Sequence, residues 1–132
     1  MFSANVKVYF YDADPAGIIF YASIFKYVHA AYEDFMRSLS PKRNFFFDRE
    51  FILPIMHAEA DYVRPLLVGD ELKVDVTVSL LKSSSFELTF RFYRNDQFTA
   101  IAKTVHVCVL KEKFEKIELP AEFQEQLKLH LS

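Results

Sequence analysis

Two carboxylates and a glycine stand close together near the start of the chain, in Asp12-Ala13-Asp14-Pro15-Ala16-Gly17-Ile18-Ile19-Phe20-Tyr21. The stretch follows an alternating segment, with Val6, Val8 and Phe10 on one face and Lys7, Tyr9 and Tyr11 on the other. It precedes a long segment with helical spacing. A carboxylate-bearing turn therefore ends against a helix N-terminus, where unpaired backbone N–H groups favour negative charge. A carbonyl seated there is polarised by those amides. A carboxylate can then attack it, or drive water onto it. For either aspartate the plainer role is that of a cap or turn former. Gly17 suits a backbone turn with positive φ, and its missing Cβ lets a ligand approach the main chain.

The elements that must position this turn are readable from periodicity. Over positions 21 to 39, Ile24, Tyr27, Val28, Ala31, Phe35 and Leu39 follow i, i+3, i+4, i+7 spacing. A second stripe, Phe25, His29, Tyr32 and Met36, runs beside the first. A helix apolar around most of its girth has to be wrapped by something else. Ser40-Pro41 ends it. Asn44 to Phe51 is an aromatic-rich connection. Pro54 to Arg64 reads as a strand, and Leu67 to Asp70 as a turn. Leu72, Val74, Val76, Val78 and Leu80 then alternate with polar residues, as do Phe86, Leu88, Phe90 and Phe92. Asn95-Asp96 supplies a hairpin turn. A last long strand carries Ile101, Val105, Val107 and Val109 on one face, with Ala100, Ala102, Thr104, His106 and Cys108 opposite. The tail from Pro120 ends in a short helix. One long helix and about four long strands in consecutive hairpins predict an antiparallel sheet curling around the helix, an α+β domain spanning residues 1–132.

Bulk properties narrow the function. The 132 residues are 52% hydrophobic and 17% aromatic, which excludes disorder and favours self-association. The net charge of −2, without clustered Lys and Arg, argues against a nucleic-acid partner. Cys108 is the only cysteine, so no internal disulfide forms. No apolar run approaches the roughly 18 residues of a membrane span. No signal peptide is expected, which places the protein in the cytoplasm. The four histidines, at 29, 57, 106 and 130, lack metal-ligand spacing, so no metal site is expected.

The layout and the turn together resemble the hot-dog fold, and more narrowly the 4-hydroxybenzoyl-CoA thioesterase family of acyl-CoA hydrolases. The resemblance rests on Asp12-x-Asp14-x-Ala16-Gly17-Ile18-Ile19-Phe20 before the helix, on Arg64-Pro65 with Gly69-Asp70, and on Ser85-Phe86, over roughly residues 5 to 120. It implies a catalytic carboxylate at Asp14, as nucleophile or general base. It also implies that the backbone N–H of Tyr21, four residues after Gly17, polarises the thioester carbonyl. Asp12 is then structural, binding backbone N–H groups of the turn. The family branch tied to the Tol–Pal envelope system usually has His where this chain has Tyr21. Leu53 to Pro65, Ile24 to His29 and Ser85 to Phe92 look instead like the 1,4-dihydroxy-2-naphthoyl-CoA thioesterases of menaquinone and phylloquinone biosynthesis. The resemblance implies an aryl-CoA substrate and no cofactor beyond the coenzyme A of the substrate; the apolar composition, with the edge strand and outer face of a sheet curled around one helix, predicts a homodimer or homotetramer. Rival readings are a broad short-chain acyl-CoA thioesterase and a non-catalytic acyl-CoA or acyl-carrier-protein binding module. Hot-dog dehydratases are disfavoured, because Asp12 to Tyr21 holds no His ahead of the helix.

Further substrate-binding candidates are Phe20, His57, Glu33, Lys82, Ser83 and Ser84. Phe20 and the Phe45-Phe46-Phe47 run are candidates for an acyl pocket. His57, ahead of Glu59 and Asp61, lies in a strand that could be buried. Glu33 either faces a site across a subunit boundary or is solvated helix surface. Lys82, Ser83 and Ser84 form a turn suited to a phosphate of coenzyme A, or simply a solvated turn. His29 and His106 are read as core or interface histidines, and His130 as tail.

Overall fold

Apolar residues recurring every second position build one antiparallel sheet. A computed structural model describes residues 1–39, 45 and 48–132. Its strands are β1 (Phe2–Lys7), β2 (Phe51–Ile52), β3 (Ile55–Tyr62), β4 (Glu71–Leu81), β5 (Ser85–Arg94), β6 (Gln97–Val107) and β7 (Val109–Leu110). The large sheet has the order β1-β4-β5-β6-β3, and β2 pairs with β7 in a small separate ribbon. Helix α1 (Ile24–Leu39) lies on one face of the large sheet, and α2 (Ala121–Lys128) closes the far end.

The core forms where the two periodicities meet. Leu72, Val74, Val76 and Val78 of β4, and Phe86, Leu88, Phe90 and Phe92 of β5, are all buried toward α1. So are Ile24, Val28, Ala31, Phe35 and Leu39 of the helix. Each of these side chains other than Ala31 contributes about 1.5–3 kcal/mol on burial. The β5–β6 hairpin turns through Asn95 and Asp96, with φ of 49° and 65°. Residues that tolerate this left-handed conformation are what a two-residue hairpin requires, and they set the register of both strands.

Several expectations are corrected. The strands do not follow one another as simple hairpins: β3 pairs with β6, and the chain crosses the sheet end over residues 63–70 before β4 begins. That crossing leaves β3 on an edge. Phe10 does not share a strand face with Val6 and Val8; it sits in a 3₁₀ turn, Phe10–Asp12, and is 84% exposed. Val109 belongs to the β2–β7 ribbon rather than to the last long strand. The first helical residues, Tyr21–Ser23, form a 3₁₀ turn that runs straight into α1. His130 is no loose tail: its ring meets Phe35 edge-on at 5.1 Å, and its carbonyl accepts from the Val78 N–H. Cys108 is buried, and burial pushes its thiol pKa up to about 11, so it is not a nucleophile. Phe45 is buried and stacks on Phe123 at 4.7 Å, while Phe46 and Phe47 lie outside the described residues. Among the described residues no helix is long and apolar enough to cross a membrane.

Candidate active site

The turn of Asp14 is a closed backbone structure. The Asp14 N–H donates to the Ile18 carbonyl at 2.8 Å, and the Gly17 N–H donates to the Asp14 carbonyl at 3.0 Å. Gly17 has φ of +78°, a conformation that L side chains rarely adopt. Nothing lies within 4 Å of where its Cβ would be, so the glycine is explained by backbone conformation and faces open space. The Asp14 Oδ1 accepts from the Ala16 N–H at 2.8 Å and, more weakly, from the Ile18 N–H at 3.4 Å. Both bonds hold the exposed carboxylate in place.

The turn is bolted to the rest of the fold from two sides. On one side the 63–70 crossing backs it. Ile19 donates to the Leu66 carbonyl at 2.8 Å, Val68 donates to the Gly17 carbonyl at 3.1 Å, and Ile18 bridges Leu67. Arg94 and Asp70 hold that crossing: the guanidinium donates to the Asp70 carboxylate at 2.5 Å, and the same carboxylate oxygen accepts from the Leu67 N–H. This accounts structurally for Asp70 of the sequence motif. On the other side Asp12 reaches α1. Its carboxylate is 6% exposed and accepts from the Tyr27 hydroxyl at 2.8 Å and the Lys26 ammonium at 3.0 Å. The expectation that this side chain binds backbone N–H groups of the turn is thereby corrected. Its backbone carbonyl, not its carboxylate, receives the Phe20 N–H. Burial and the bond to Asp12 both raise the Tyr27 pKa, and the same aspartate raises that of Lys26.

The helix entry follows at once. Ser23 donates to the Phe20 carbonyl at 2.8 Å, closing the 3₁₀ turn. The Tyr21 N–H has no hydrogen-bond partner among the described residues. Its ring is 72% exposed and lies 4.8 Å from the Phe20 ring. The Tyr62 hydroxyl, at the end of β3, donates to the Tyr21 carbonyl. A carboxylate in a fixed turn and a free N–H at a helix entry are thus held by one hydrogen-bonded frame. Such a pair can polarise a carbonyl and deliver an oxygen nucleophile to it.

From Tyr21 an apolar stripe runs down α1 through Phe25, Val28, His29 and Tyr32, at helical spacing. Facing it are Ile55 and Ala58 of β3 and Thr104 and His106 of β6, and together these residues line a cleft of about 300 Å³. At the floor, His106 is fully buried, stacked between Phe86 and Tyr32 at 4.8 and 4.6 Å. Its Nε2 lies 2.8 Å from the Thr104 hydroxyl. Burial first, and the nearby His29 to a smaller degree, lowers its pKa to about 4, against a favourable contribution from the Leu53 backbone. A larger hollow of about 720 Å³ opens by Lys7, Tyr9, Lys26 and Lys73; neither Asp14 nor Tyr21 lines it, so it is separate from this chemistry.

The other sequence candidates lie apart from Asp14 within one chain. His57 is exposed rather than buried, 3.2 Å from Glu59, on an edge strand. Since Ala58 faces the helix, alternation puts His57 on the outer face of the sheet. Glu33 is half-buried, pairs with Arg37 at 3.4 Å, and lies about 14 Å along α1 from its start. Lys82, Ser83 and Ser84 join β4 to β5 at the end of β4 remote from the Asp14 turn, about 33 Å along the strand. Tyr62, Tyr27, Thr104 and His106 escaped the sequence reading as site residues. Strand register brings Tyr62, Thr104 and His106 to the site, and Tyr27 arrives on the first turn of α1, where the first helical stripe had already placed it as a core residue.

A family model described as Thioesterase-like superfamily matches residues 8–127. A 1,4-dihydroxy-2-naphthoyl-CoA hydrolase from Synechococcus elongatus is 36% identical over 122 residues, covering 91% of this chain and 90% of that protein. The crystal structure of a 1,4-dihydroxy-2-naphthoyl-CoA thioesterase from Synechocystis superposes with a TM-score of 0.85 at 29% identity, covering 96% and 95% of the two chains. The dynemicin thioesterase, at 18% identity, shares the fold with a TM-score of 0.90 over 98% and 96% of the two chains.

Proposed function

The chain belongs to the thioesterase-like superfamily, with its hot-dog fold, and on that premise we propose that it hydrolyses an aryl-CoA thioester to the free acid and coenzyme A. The first substrate to test is 1,4-dihydroxy-2-naphthoyl-CoA, the acyl-CoA in the names of its relatives. The observation that carries this reading is the Asp14 carboxylate, fixed by two backbone N–H groups in the Gly17 turn and sharing a frame with the unpaired Tyr21 N–H.

In the proposed reaction the thioester carbonyl accepts from Tyr21 N–H, which stabilises the oxyanion of the tetrahedral intermediate. Removing one such donor typically costs about 10²–10³ in rate. Asp14 either attacks the carbonyl carbon, giving a mixed anhydride that water then opens, or takes a proton from the attacking water. The C–S bond breaks with its electron pair on sulfur, and the thiolate of coenzyme A leaves without needing a strong acid. The acyl ring extends from Tyr21 into the cleft between α1 and β3, where aromatic stacking contributes about 0.5–1.5 kcal/mol per ring pair. No further cofactor takes part.

The proposal includes a cytoplasmic homodimer or homotetramer. Edge strand β3 offers unpaired backbone groups, and Ile55, Met56, Tyr62 and Val63 beside it are 40–64% exposed. Pairing this edge with a second copy would cover both. Light scattering at micromolar concentration should give a multiple of 15.5 kDa; a monomer would refute the assembly.

Catalysis is tested by hydrolysis of an acyl-CoA panel with free-thiol detection. Dihydroxynaphthoyl-CoA should exceed benzoyl- and butyryl-CoA in kcat/KM. Asp14→Asn should fold and lower kcat by about 10²–10⁴. Full activity in a folded Asp14→Asn protein would end the reading of Asp14, and a preference for butyryl-CoA would move the substrate to the short-chain class.

A further inference from the structure

We propose that Thr104, oriented by His106, determines substrate specificity: its hydroxyl oxygen accepts a hydrogen bond from a ring hydroxyl of the acyl group lodged between α1 and β3. The inference rests on the aryl-CoA reading above and names the group that reads the ring.

The cleft is otherwise a place for a flat apolar body. Phe25, Val28, Ile55 and Ala58 bring no polar side-chain atom to it. Thr104 and His106 are the polar residues of its sheet side, and both are almost wholly buried, at 3% and 0% exposure. Burying a hydroxyl and an imidazole in an apolar wall is costly unless their hydrogen bonds are made. One is made, between Thr104 Oγ1 and His106 Nε2 at 2.8 Å. His106 Nδ1 has none of good geometry among the described residues. The core does not require this pair, since neighbouring inward positions on β6 are Ala100 and Ala102.

A neutral imidazole has one N–H and one acceptor nitrogen, and Nε2 shares one hydrogen bond with the Thr104 hydroxyl. A hydroxyl carries one proton and two lone pairs, so whichever partner donates, Thr104 Oγ1 keeps a lone pair that can accept from a donor in the cleft. A phenolic O–H is such a donor; a ring C–H is not. Thr104 pairs with Ala58 on the same strand as Tyr62, whose hydroxyl bonds the Tyr21 carbonyl, so β3 links the helix entry at Tyr21 to the cleft wall at Thr104.

The test compares 1,4-dihydroxy-2-naphthoyl-CoA with 1-hydroxy-2-naphthoyl-CoA, which differ by a single ring hydroxyl. Wild type should prefer the dihydroxy ester by about tenfold or more in kcat/KM, since its loss leaves a buried acceptor unpaired. Thr104→Val should reduce that ratio to near one, while Thr104→Ser, which keeps the oxygen, should retain it. His106→Phe, which keeps the ring stack and frees the hydroxyl to rotate, should lower the ratio without abolishing it. A ratio unchanged in folded Thr104→Val, or no preference in wild type, overturns the proposal. Calorimetric binding of the two free naphthoic acids to wild type, Thr104→Val and Thr104→Ser gives a second readout. If no aryl-CoA is hydrolysed, the thioesterase reading fails. The acids then decide the Thr104 proposal by themselves: equal affinity of wild type for both overturns it, and a preference lost only in Thr104→Val supports it.

Discussion

The buried imidazole at the cleft floor makes stability depend on pH in a calculable way. His106 is fully buried, with its pKa lowered to about 4 from the ordinary 6.5. Between those values the unfolded chain binds a proton at this position and the native chain does not. Stability is therefore fully present above pH 6.5 and is lost as pH falls toward 4. At pH 5 the unfolded histidine is almost fully protonated and the native one about a tenth so. The single-site linkage relation then gives a loss of about 2 kcal/mol between pH 7.5 and pH 5. That is a sizeable fraction of the roughly 5–15 kcal/mol by which native domains are stable. Acidic residues paired in the native state add their own acid dependence, so a reference is needed. His106→Gln fills much of the same volume with a polar group that does not titrate. Urea unfolding followed by circular dichroism at both pH values should show wild type losing about 2 kcal/mol more than the variant. Equal losses would mean that the imidazole is reached by water or protonated in the native state. That would refute the assigned burial and the neutral imidazole that bonds Thr104.

Two further perturbations probe the frame of the turn. Asp12→Ala leaves the buried Tyr27 hydroxyl without its acceptor, so thermal or urea unfolding should show a loss of about 1–3 kcal/mol, with kcat falling as the turn loses its tie to α1; Asp12→Asn, which can still accept, should recover much of both. Gly17→Ala meets no atom but must adopt φ of +78°, so it should cost about 1–2 kcal/mol from backbone strain alone, and a larger loss by calorimetry would indicate a contact not accounted for.

Period and composition alone determined much of this molecule. The 3.6-residue repeat of Ile24, Val28, Ala31 and Phe35 and the two-residue repeats of β4 and β5 are local properties of the chain. A helix wrapped by an antiparallel sheet is the arrangement that hides both faces. The Asp-rich turn and its glycine were equally legible, because φ of +78° at Gly17 is a demand that sequence expresses directly. Hydrogen-bond partners were not. Asp12 looked like a residue bonded within its own turn, yet it is buried against Tyr27, fifteen positions away. His57 stood, with Glu59 and Asp61, in a strand that could have been buried, but a strand's place in a sheet is set by which partner it finds. β3 found β6 and became an edge. The same pairing decided the cleft. Thr104 faces Ala58, and His106 faces Ile55, only because β3 lies antiparallel beside β6 in that register. A shift of one residue in β3 would have turned Ala58 outward, while pairing with β5 kept Thr104 and His106 on the inner face. Strand order is a long-range choice among competing pairings, settled by how the whole inner face packs on α1. Local periodicity carries no record of it.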